Sequence, residues 1–223
     1  MKNCSLDYNF QINHDIKKTK LCLQVIIKKK FSTEQYKQIA KAIRLAFKYH
    51  DGQIRSDGSP YVIHPLRVSM LLLNYQSRVS PEVLIAALLH DALEDTSLTE
   101  DEVLTIFGRV VYKYLKAVTR YHAKNETPAI RGQEKFEKWK LIMKSTHKIR
   151  SIKTFDYLDN MISWKFISHD HPHIKKIPRW LGEAKSMYLP LAKITNKKAF
   201  ILMKKELEYY LLSGYKIGAR DDT

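Results

Sequence analysis

Glycine, proline and cysteine are scarce in this chain of 223 residues, and each shortage narrows the range of folds. Seven glycines and seven prolines are too few for a turn-rich all-β protein or a low-complexity protein. The two cysteines, Cys4 and Cys22, provide neither a disulfide framework nor the ligand spacing of a zinc site. This cysteine usage fits a reducing compartment, so we expect a cytoplasmic protein.

Long hydrophobic runs are also missing. The two longest apolar stretches, at 21–27 and 83–89, are far shorter than the roughly 18 residues that a membrane span requires. The first stretch follows twenty residues of mixed character, and no small-residue cleavage site comes after it. We therefore expect neither a secretory signal nor a membrane anchor.

Acidic residues are outnumbered, with 23 Asp and Glu against 39 Lys and Arg, which gives a formal net charge of +16. Such an excess favours an anionic partner, and a nucleotide, a nucleic acid and an acidic membrane all qualify. A lysine-biased genome would explain the same excess as a plain cationic surface. Charge alone therefore does not choose the ligand.

Helix start signals recur along the chain. Ser32 with Gln35, and Thr99 with Glu102, have the spacing of capping boxes, in which side chain and backbone satisfy each other at a helix start. Gly108 indicates a helix stop, after which helical periodicity resumes. No strand-like alternation is present, and the pattern predicts an all-α bundle of roughly eight to ten helices.

The central helix is predicted from Ser80-Pro81 onward, because the run from Val83 to Leu93 is apolar almost all round. The polar stretch 122–133 is predicted to be a loop. Further helices are predicted from Glu134 onward, at 152–166, at 179–193 and at 196–213, with a loop at 168–178. We expect a basic amino-terminal extension at 1–31 (strand, helix or tail), one domain at 32–213 and a short tail at 214–223.

One His-Asp pair, His90-Asp91, stands at the end of the apolar helix, unlike the three other His-Asp dipeptides of the chain. Burying an imidazole beside a carboxylate is costly unless the two are paired or bind a metal. At helical spacing His90 lies over Glu94 and Asp91 over Asp95, which predicts one patch of metal ligands. A capped helix end with solvated acids is the alternative.

Imidazole and carboxylate ligands without thiolates suit a divalent ion such as manganese, iron or zinc. A bound ion of this kind lowers the pKa of water and so promotes attack on phosphorus. Further ligands must come from elsewhere in the chain, and His64 and Asp156 are the plausible sources.

The order of these motifs resembles the HD phosphohydrolases, and the flanking residues resemble the hydrolase domain of the Rel/SpoT family. The likeness spans roughly 35–210. It is carried by Tyr49 to Arg55, Gly58 to Leu66, Ala86 to Thr96, Phe107-Gly108, Val118-Thr119, Lys153 with Asp156 and Asn160, Tyr188 to Ala192, and Lys205 to Tyr209. The resemblance implies an HD-domain helical bundle.

The resemblance also implies roles for particular residues. One ion, normally Mn²⁺ in this family, would be held by His64, His90, Asp91 and Asp156. Glu94 and Asp95 would orient and deprotonate the attacking water. The substrate-binding residues would be Arg55 on the guanine base, Asn160 near the ribose, Tyr188 in the pocket and Lys153 in the last motif.

The implied substrate is guanosine tetra- or pentaphosphate, whose 3′-diphosphate leaves as pyrophosphate and leaves GDP or GTP. Some thirty residues follow the Tyr188 motif, so we expect a small alarmone hydrolase without a synthetase domain. A separate synthetase is then a candidate partner, and the oligomeric state is open. Lysines of the basic helix after Glu134 could neutralise the 5′-diphosphate or simply form a solvated face.

Three departures from the family pattern keep the nucleotide open. Ser56-Asp57 follow Arg55 where a lysine-serine pair is usual, Asp159 stands where histidine or tyrosine is common, and Phe155 replaces an alanine. An adenosine counterpart or a phosphorylated dinucleotide such as NADPH is therefore an alternative substrate. A non-catalytic RNA or ribosome binder is a less favoured alternative.

A second cluster of possible ligands, His169 to His173, lies in a loop with Pro172. Such a loop lacks the dry surroundings that hold metal ligands in place, so we expect only adventitious metal binding there.

Overall fold

A computed structural model of the chain describes residues 15–121 and 127–218. Within these ranges the regular elements are helices, with a single β-bridge between Ile54 and Pro60 and no strand. The predicted all-α class is confirmed. The α-helices are α1 (Ile16–Lys30), α2 (Thr33–Tyr49), α3 (Ile63–Tyr75), α4 (Pro81–Leu89), α5 (Ala92–Asp95), α6 (Glu100–Val118), α7 (Pro128–Met143), α8 (His147–Ser163), α9 (Ile177–Glu183), α10 (Leu189–Thr195) and α11 (Lys197–Leu212).

Three shorter elements complete the set. The 3₁₀ turns are Trp164–Phe166 and Pro172–Lys176, and a π-helical turn, Ala184–Tyr188, joins α9 to α10. The predicted number of helices agrees closely with the number in the described residues. In these residues α9, the π turn and α10 follow one another without a break and together form one continuous helical stretch. No helix in the described ranges combines the length and apolar character that a membrane crossing requires.

Internal contacts divide the chain into two compact units. The first unit comprises the chain up to Arg55 together with Ser59–Leu115, and the second comprises Ser56–Gly58 together with the chain from Lys116 onward.

In the first unit, α4 is the central helix. All of its residues from Val83 to Leu89 are buried, and it packs against α2 and α3. The capping box at the start of α2 is confirmed, because Ser32 Oγ accepts from the Gln35 backbone N–H at 3.3 Å and Gln35 Oε1 accepts from Ser32 N–H at 3.0 Å. The predicted run to Leu93 is instead divided into α4 and α5, with His90 and Asp91 at the joint.

The first unit also includes α1, so residues 16–30 of the predicted amino-terminal extension form a helix. Asp15 caps this helix by accepting from Lys18 N–H at 3.0 Å. Thr19, Leu23 and Ile27 are buried, and the helix packs against α3 and α2.

The predicted interruption at Gly108 is confirmed by a kink in α6, where its φ of +78° is a conformation that residues with a Cβ rarely adopt. The capping box before α6 is also confirmed, with Thr99 Oγ1 3.2 Å from Glu102 N and Glu102 Oε2 3.0 Å from Thr99 N.

In the second unit, α8 packs against α10 and α11. The loop predicted at 122–133 is wrong for residues 128–133, because α7 already begins at Pro128, while 122–126 lie outside the described residues. Thr127 caps α7 by accepting from Ile130 N–H at 3.2 Å. Proline at the first helical position after a capping threonine outweighed the polar composition of this stretch.

Candidate metal centre

His90 is the C-cap of α4, and only 3% of its surface is exposed. Its Nδ1 lies 2.9 Å from the carbonyl oxygen of Ala87. Because a carbonyl can only accept, Nδ1 carries the proton, and in the neutral ring the lone pair is on Nε2. A backbone bond of this kind fixes an imidazole in the tautomer that a metal ligand needs.

His64 supplies a second imidazole from the first turn of α3, with 1% of its surface exposed. The Nε2 atoms of His64 and His90 are 3.2 Å apart. Two ligand atoms about 2.1 Å from one ion are roughly 3.0–3.4 Å apart at angles between octahedral and tetrahedral values. The spacing of the two nitrogens therefore fits two ligands of a single ion.

Asp91 adds a carboxylate to the same cluster. Its Oδ1 lies 3.2 Å from His90 Nε2, and its Oδ2 lies 3.5 Å from His64 Nε2. With 16% of its side chain exposed, Asp91 faces the buried imidazoles from the more open side. Nitrogen and carboxylate donors without thiolate match the ligand set of a borderline or hard divalent cation.

Tyr61, which the sequence motifs did not single out, positions this carboxylate. Its hydroxyl donates to Asp91 Oδ2 at 2.8 Å and lies 3.5 Å from Asp95 Oδ2. Burial and the charges of Asp91 and Asp95 raise the pKa of Tyr61 well above its ordinary value of 10.0. The phenol therefore stays protonated and remains a donor at neutral pH.

His50 and Gln53 support Tyr61, and they were also missed. The His50 ring stacks on Tyr61 with centroids 4.8 Å apart and an interplanar angle of 24°. Its Nδ1 lies 2.7 Å from Gln53 Oε1, and Gln53 Nε2 donates to the Asp95 carbonyl at 3.1 Å. Burial lowers the pKa of His50, although the Gln53 bond partly opposes this shift.

The signal that could have found these residues is their location inside two of the motif segments. His50 and Gln53 lie in the stretch Tyr49 to Arg55, and Tyr61 lies three residues before His64. The direction of each side chain depends on packing between distant parts of the chain, so the sequence alone did not assign their roles.

The two predicted catalytic acids follow Asp91 in α5. Glu94 is half-buried and Asp95 is exposed. Their backbone N–H groups donate to the Asp91 carbonyl at 3.1 and 2.8 Å, which fixes the start of this short helix. Arg55, the predicted base-stacking residue, has its guanidinium carbon 5.6 Å from the centre of the Tyr61 ring.

In the second unit, three predicted residues meet on one face of α8. Asp156 is buried, with 3% of its surface exposed. Its Oδ2 lies 2.7 Å from Lys153 Nζ, and its Oδ1 accepts from Asn160 Nδ2 at 2.8 Å. Positions i−3, i and i+4 of one helix thus give this carboxylate a cation and an amide donor.

Tyr188, the predicted pocket residue, is the last residue of the π turn in the second unit. It stacks on Tyr157 with centroids 3.5 Å apart and an interplanar angle of 15°. Tyr157 in turn donates to the Trp180 carbonyl at 2.8 Å. Tyr188 is buried, and the contact described for its side chain is the stack on Tyr157.

The histidine-rich loop is held by its own hydrogen bonds. His173 Nδ1 lies 2.6 Å from Ser56 Oγ, and the His173 backbone N–H donates to His171 Nδ1 at 3.1 Å. Among the described residues, His169 to His173 do not gather three ligand atoms at the spacing of a metal site.

The structure thus brings His64, His90 and Asp91 together in the first unit. It brings Lys153, Asp156 and Asn160 together in the second unit.

Comparison with known families gives one match over most of the chain. The sequence profile of the HD domain matches residues 42–193.

Several curated proteins are similar in sequence. A guanosine-3′,5′-bis(diphosphate) 3′-pyrophosphohydrolase from Borreliella burgdorferi is 30% identical over 193 residues, covering 84% of this chain and 28% of that protein. Its counterpart from Spiroplasma citri is 33% identical over 174 residues, covering 77% of this chain and 22% of that protein. The bifunctional (p)ppGpp synthase/hydrolase SpoT of Escherichia coli K12 is 31% identical over 191 residues, covering 83% of this chain and 25% of that protein. The chain therefore spans about a quarter of the length of these curated relatives.

Among solved structures, a metazoan orthologue of SpoT that hydrolyses ppGpp has a similar fold. The TM-score is 0.65 at 23% identity, and the match covers 78% of this chain and 95% of that one. At this identity the likeness establishes the helical fold.

Proposed function

The chain belongs to the HD-domain family, and on this premise we propose that it removes the 3′-diphosphate of guanosine tetra- and pentaphosphate as pyrophosphate. The products are GDP and GTP. The observation that carries the proposal is the pair of buried Nε2 atoms, 3.2 Å apart, with the Asp91 carboxylate beside them. The names of the curated relatives support this choice of substrate.

In the proposed site, His64, His90, Asp91 and Asp156 hold one divalent ion, Mn²⁺. Such an ion, when bound, supplies a Lewis acid that lowers the pKa of water and stabilises negative charge on a phosphoryl group. The fixed tautomer of His90 and the burial of His64 support their part in it. The buried Asp156 carboxylate, bonded on both oxygens, is preformed for the fourth ligand role.

Glu94 and Asp95 take the roles of orienting the attacking water and accepting its proton. They follow Asp91 within one helical turn, so both acids lie close to a ligand without being one. A general base works best in this position, near the cation but outside its ligand set.

Four residues are proposed to bind the nucleotide. Arg55 presents a planar cation that stacks on the guanine base, Asn160 contacts the ribose, and Lys153 neutralises phosphate charge. Tyr188 lines the base pocket. Lys153 and Asn160 already share Asp156, so ligand and substrate contacts on α8 are coupled through one carboxylate.

A different nucleotide is the second candidate, and the contact of Ser56 favours it. Ser56 occupies a position where a lysine is usual, and its hydroxyl bonds His173 within the second unit. The acidic departures are Asp57, which follows Ser56, and Asp159, which is buried on α8. Less positive charge near the 5′-phosphates would suit a nucleotide with fewer phosphate charges, such as NADPH. An adenosine alarmone has the same phosphates and would differ at the base contact instead.

The proposal is tested by incubating the purified protein with Mn²⁺ and a nucleotide panel, and by separating the products by anion-exchange chromatography. Guanosine tetraphosphate should give GDP and pyrophosphate in equal amounts. Release of orthophosphate from guanosine tetraphosphate would contradict the proposed reaction. Faster turnover of the adenosine compound or NADPH would contradict the proposed substrate. No turnover of any nucleotide, together with binding of RNA, would favour the non-catalytic alternative.

A cytoplasmic location and a separate alarmone synthetase as partner complete the proposal. These two proposals belong together, because a nucleotide that is hydrolysed by this protein must be synthesised in the same compartment.

A further inference from the structure

The α1–α2 hairpin, residues 16–50, holds a large share of the net charge. It contains ten basic residues and a single acidic residue, Glu34, and so accounts for nine of the sixteen net positive charges. The basic residues are Lys17, Lys18, Lys20, Lys28, Lys29, Lys30, Lys37, Lys41, Arg44 and Lys48.

Four of these cations form a straight row along α2. Lys37, Lys41, Arg44 and Lys48 follow one another at spacings of four, three and four residues, and all four are exposed. The opposite face of the helix buries apolar residues such as Ile39 and Ile43. At 1.5 Å per residue the row is about 16 Å long.

Little in the described structure neutralises this row. Glu34 lies 3.7 Å from Lys37, but both side chains are about 70% exposed, and such surface pairs are weak. Among the described residues, Lys41 and Arg44 make no hydrogen bond or ion pair.

Helix α1 extends the basic surface beside α2. The Lys20 ammonium lies 4.5 Å from the centre of the Phe47 ring, which places it next to the end of the α2 row. Exposed Lys17 and Lys28 lie on the same helix, whose buried residues Leu23 and Ile27 face inward.

The scarcity of exposed apolar residues beside the row distinguishes between a membrane and a nucleic acid as its anionic partner. A helix that lies on a membrane surface inserts a broad apolar face into the lipid. In the hairpin the large exposed apolar residue is Leu21 on α1, and α2 has none. A row of exposed cations without an apolar anchor instead suits a polyanion whose charges repeat regularly, as the phosphates of a nucleic-acid backbone do.

We propose that the α1–α2 hairpin binds the phosphate backbone of a nucleic-acid duplex without reading its sequence. The cations involved are none of the residues in the proposed metal centre, so the inference does not rest on the proposed hydrolysis. Contacts to phosphates alone give affinity and strong salt dependence but no base preference.

The test measures the fluorescence anisotropy of a labelled 20-base-pair duplex, as DNA and as RNA, between 50 and 200 mM salt, with the full chain. Each phosphate contact contributes about 0.9 to the slope of log K against log salt for B-DNA. The variant Lys41→Ala/Arg44→Ala/Lys48→Ala should therefore lower the slope by about 2–3 and weaken binding at 50 mM salt at least tenfold. Lys41→Arg/Lys48→Arg should retain binding.

The matched control removes three exposed charges from α11, as Lys197→Ala/Lys204→Ala/Lys205→Ala. It should leave the slope unchanged. An equal loss in both triple variants would overturn the proposal in favour of a general effect of net charge. Absence of duplex binding by the native chain, or tighter binding to vesicles of phosphatidylcholine and phosphatidylserine, would also overturn it. Circular dichroism checks that all variants remain folded.

Discussion

Two carboxylates proposed as ligands of one ion, Asp91 and Asp156, lie in very different surroundings. In the first unit, Asp91 is at a helix joint, against the Nε2 atoms of His64 and His90 and the hydroxyl of Tyr61. In the second unit, Asp156 is inside a long helix, between the ammonium of Lys153 and the amide of Asn160.

On the proposed ligand assignment, these are two ways of preparing a carboxylate for a metal, one partly exposed and one buried. Around Asp91 the protein places the Nε2 atoms of His64 and His90 next to the carboxylate oxygens. A bound cation would be attracted to all of these atoms and would stabilise their close approach. Around Asp156 the chain supplies its own cation, the Lys153 ammonium, which lies 2.7 Å from Oδ2. Disrupting the first arrangement should abolish metal binding, whereas disrupting the second should first reduce stability.

The largest effect is expected from the first unit. His90→Ala or Asp91→Ala removes a proposed ligand from the cluster of His64, His90 and Asp91. Mn²⁺ binding measured by isothermal titration calorimetry should be lost, and nucleotide turnover should fall by roughly 10³-fold or more.

The control for these variants is His169→Ala, in the exposed histidine-rich loop. It should retain both bound metal and activity. Retention of metal by Asp91→Ala would mean that the ligand assignment is wrong, and loss of metal in His169→Ala would move the site to the loop.

The next largest effect is expected from the ion pair of Lys153 and Asp156 in the second unit. Lys153→Met leaves the buried Asp156 carboxylate without its ammonium, and should lower the free energy of unfolding by about 3 kcal/mol. In Lys153→Met/Asp156→Asn the charge is gone as well, so much of that loss should be recovered. Urea denaturation at pH 7 measures both variants.

Equal destabilisation by the single and the double variant would contradict this reasoning. It would mean that Lys153 stabilises the helix through its packing and not through the charge of Asp156.

Structural features that depend on neighbouring residues are predictable from the sequence. The capping boxes at Ser32 and Thr99 and the interruption at Gly108 were found because each depends on a few adjacent positions. The start of α7 at Pro128 was not predicted, because the polar composition of 122–133 is typical of a loop, although a capping threonine followed by proline starts a helix there.

In the candidate site, too, some features were predictable from the sequence and others were not. The order of His64, His90, Asp91 and Asp156 was readable as a family pattern, but the facing of the two Nε2 atoms depends on how α3 meets the end of α4. Tyr61 was missed for this reason, because its hydroxyl reaches Asp91 across thirty positions of sequence.

A smaller effect is expected when the support of Asp91 is weakened but its charge is kept. Tyr61→Phe removes the hydroxyl that holds Oδ2, and loss of such an outer hydrogen bond typically costs 10–100-fold in metal affinity. We expect Mn²⁺ affinity to fall about tenfold while the protein stays folded. Direct titration of Mn²⁺ separates this effect from turnover.

Tyr49→Phe is the matched control, since Tyr49 donates to Glu102 at 2.6 Å in the same unit. It removes a comparable tyrosine–carboxylate bond and should leave Mn²⁺ affinity unchanged. Equal losses in the two variants would assign Tyr61 a general structural role.

The smallest effect concerns acid sensitivity of the first unit. Burial lowers the pKa of His50 below its ordinary value of 6.5, and the unfolded chain therefore takes up this proton at a higher pH than the folded protein. The stability that the neutral ring contributes is complete above pH 6.5 and falls as the pH drops through 6.5 toward the lower folded value. His50→Gln cannot titrate, so its deficit against the native protein should be largest at pH 8 and should narrow at pH 5. Urea denaturation at both pH values measures the two deficits, and a constant deficit would show that the stack on Tyr61, not the protonation of His50, accounts for its contribution.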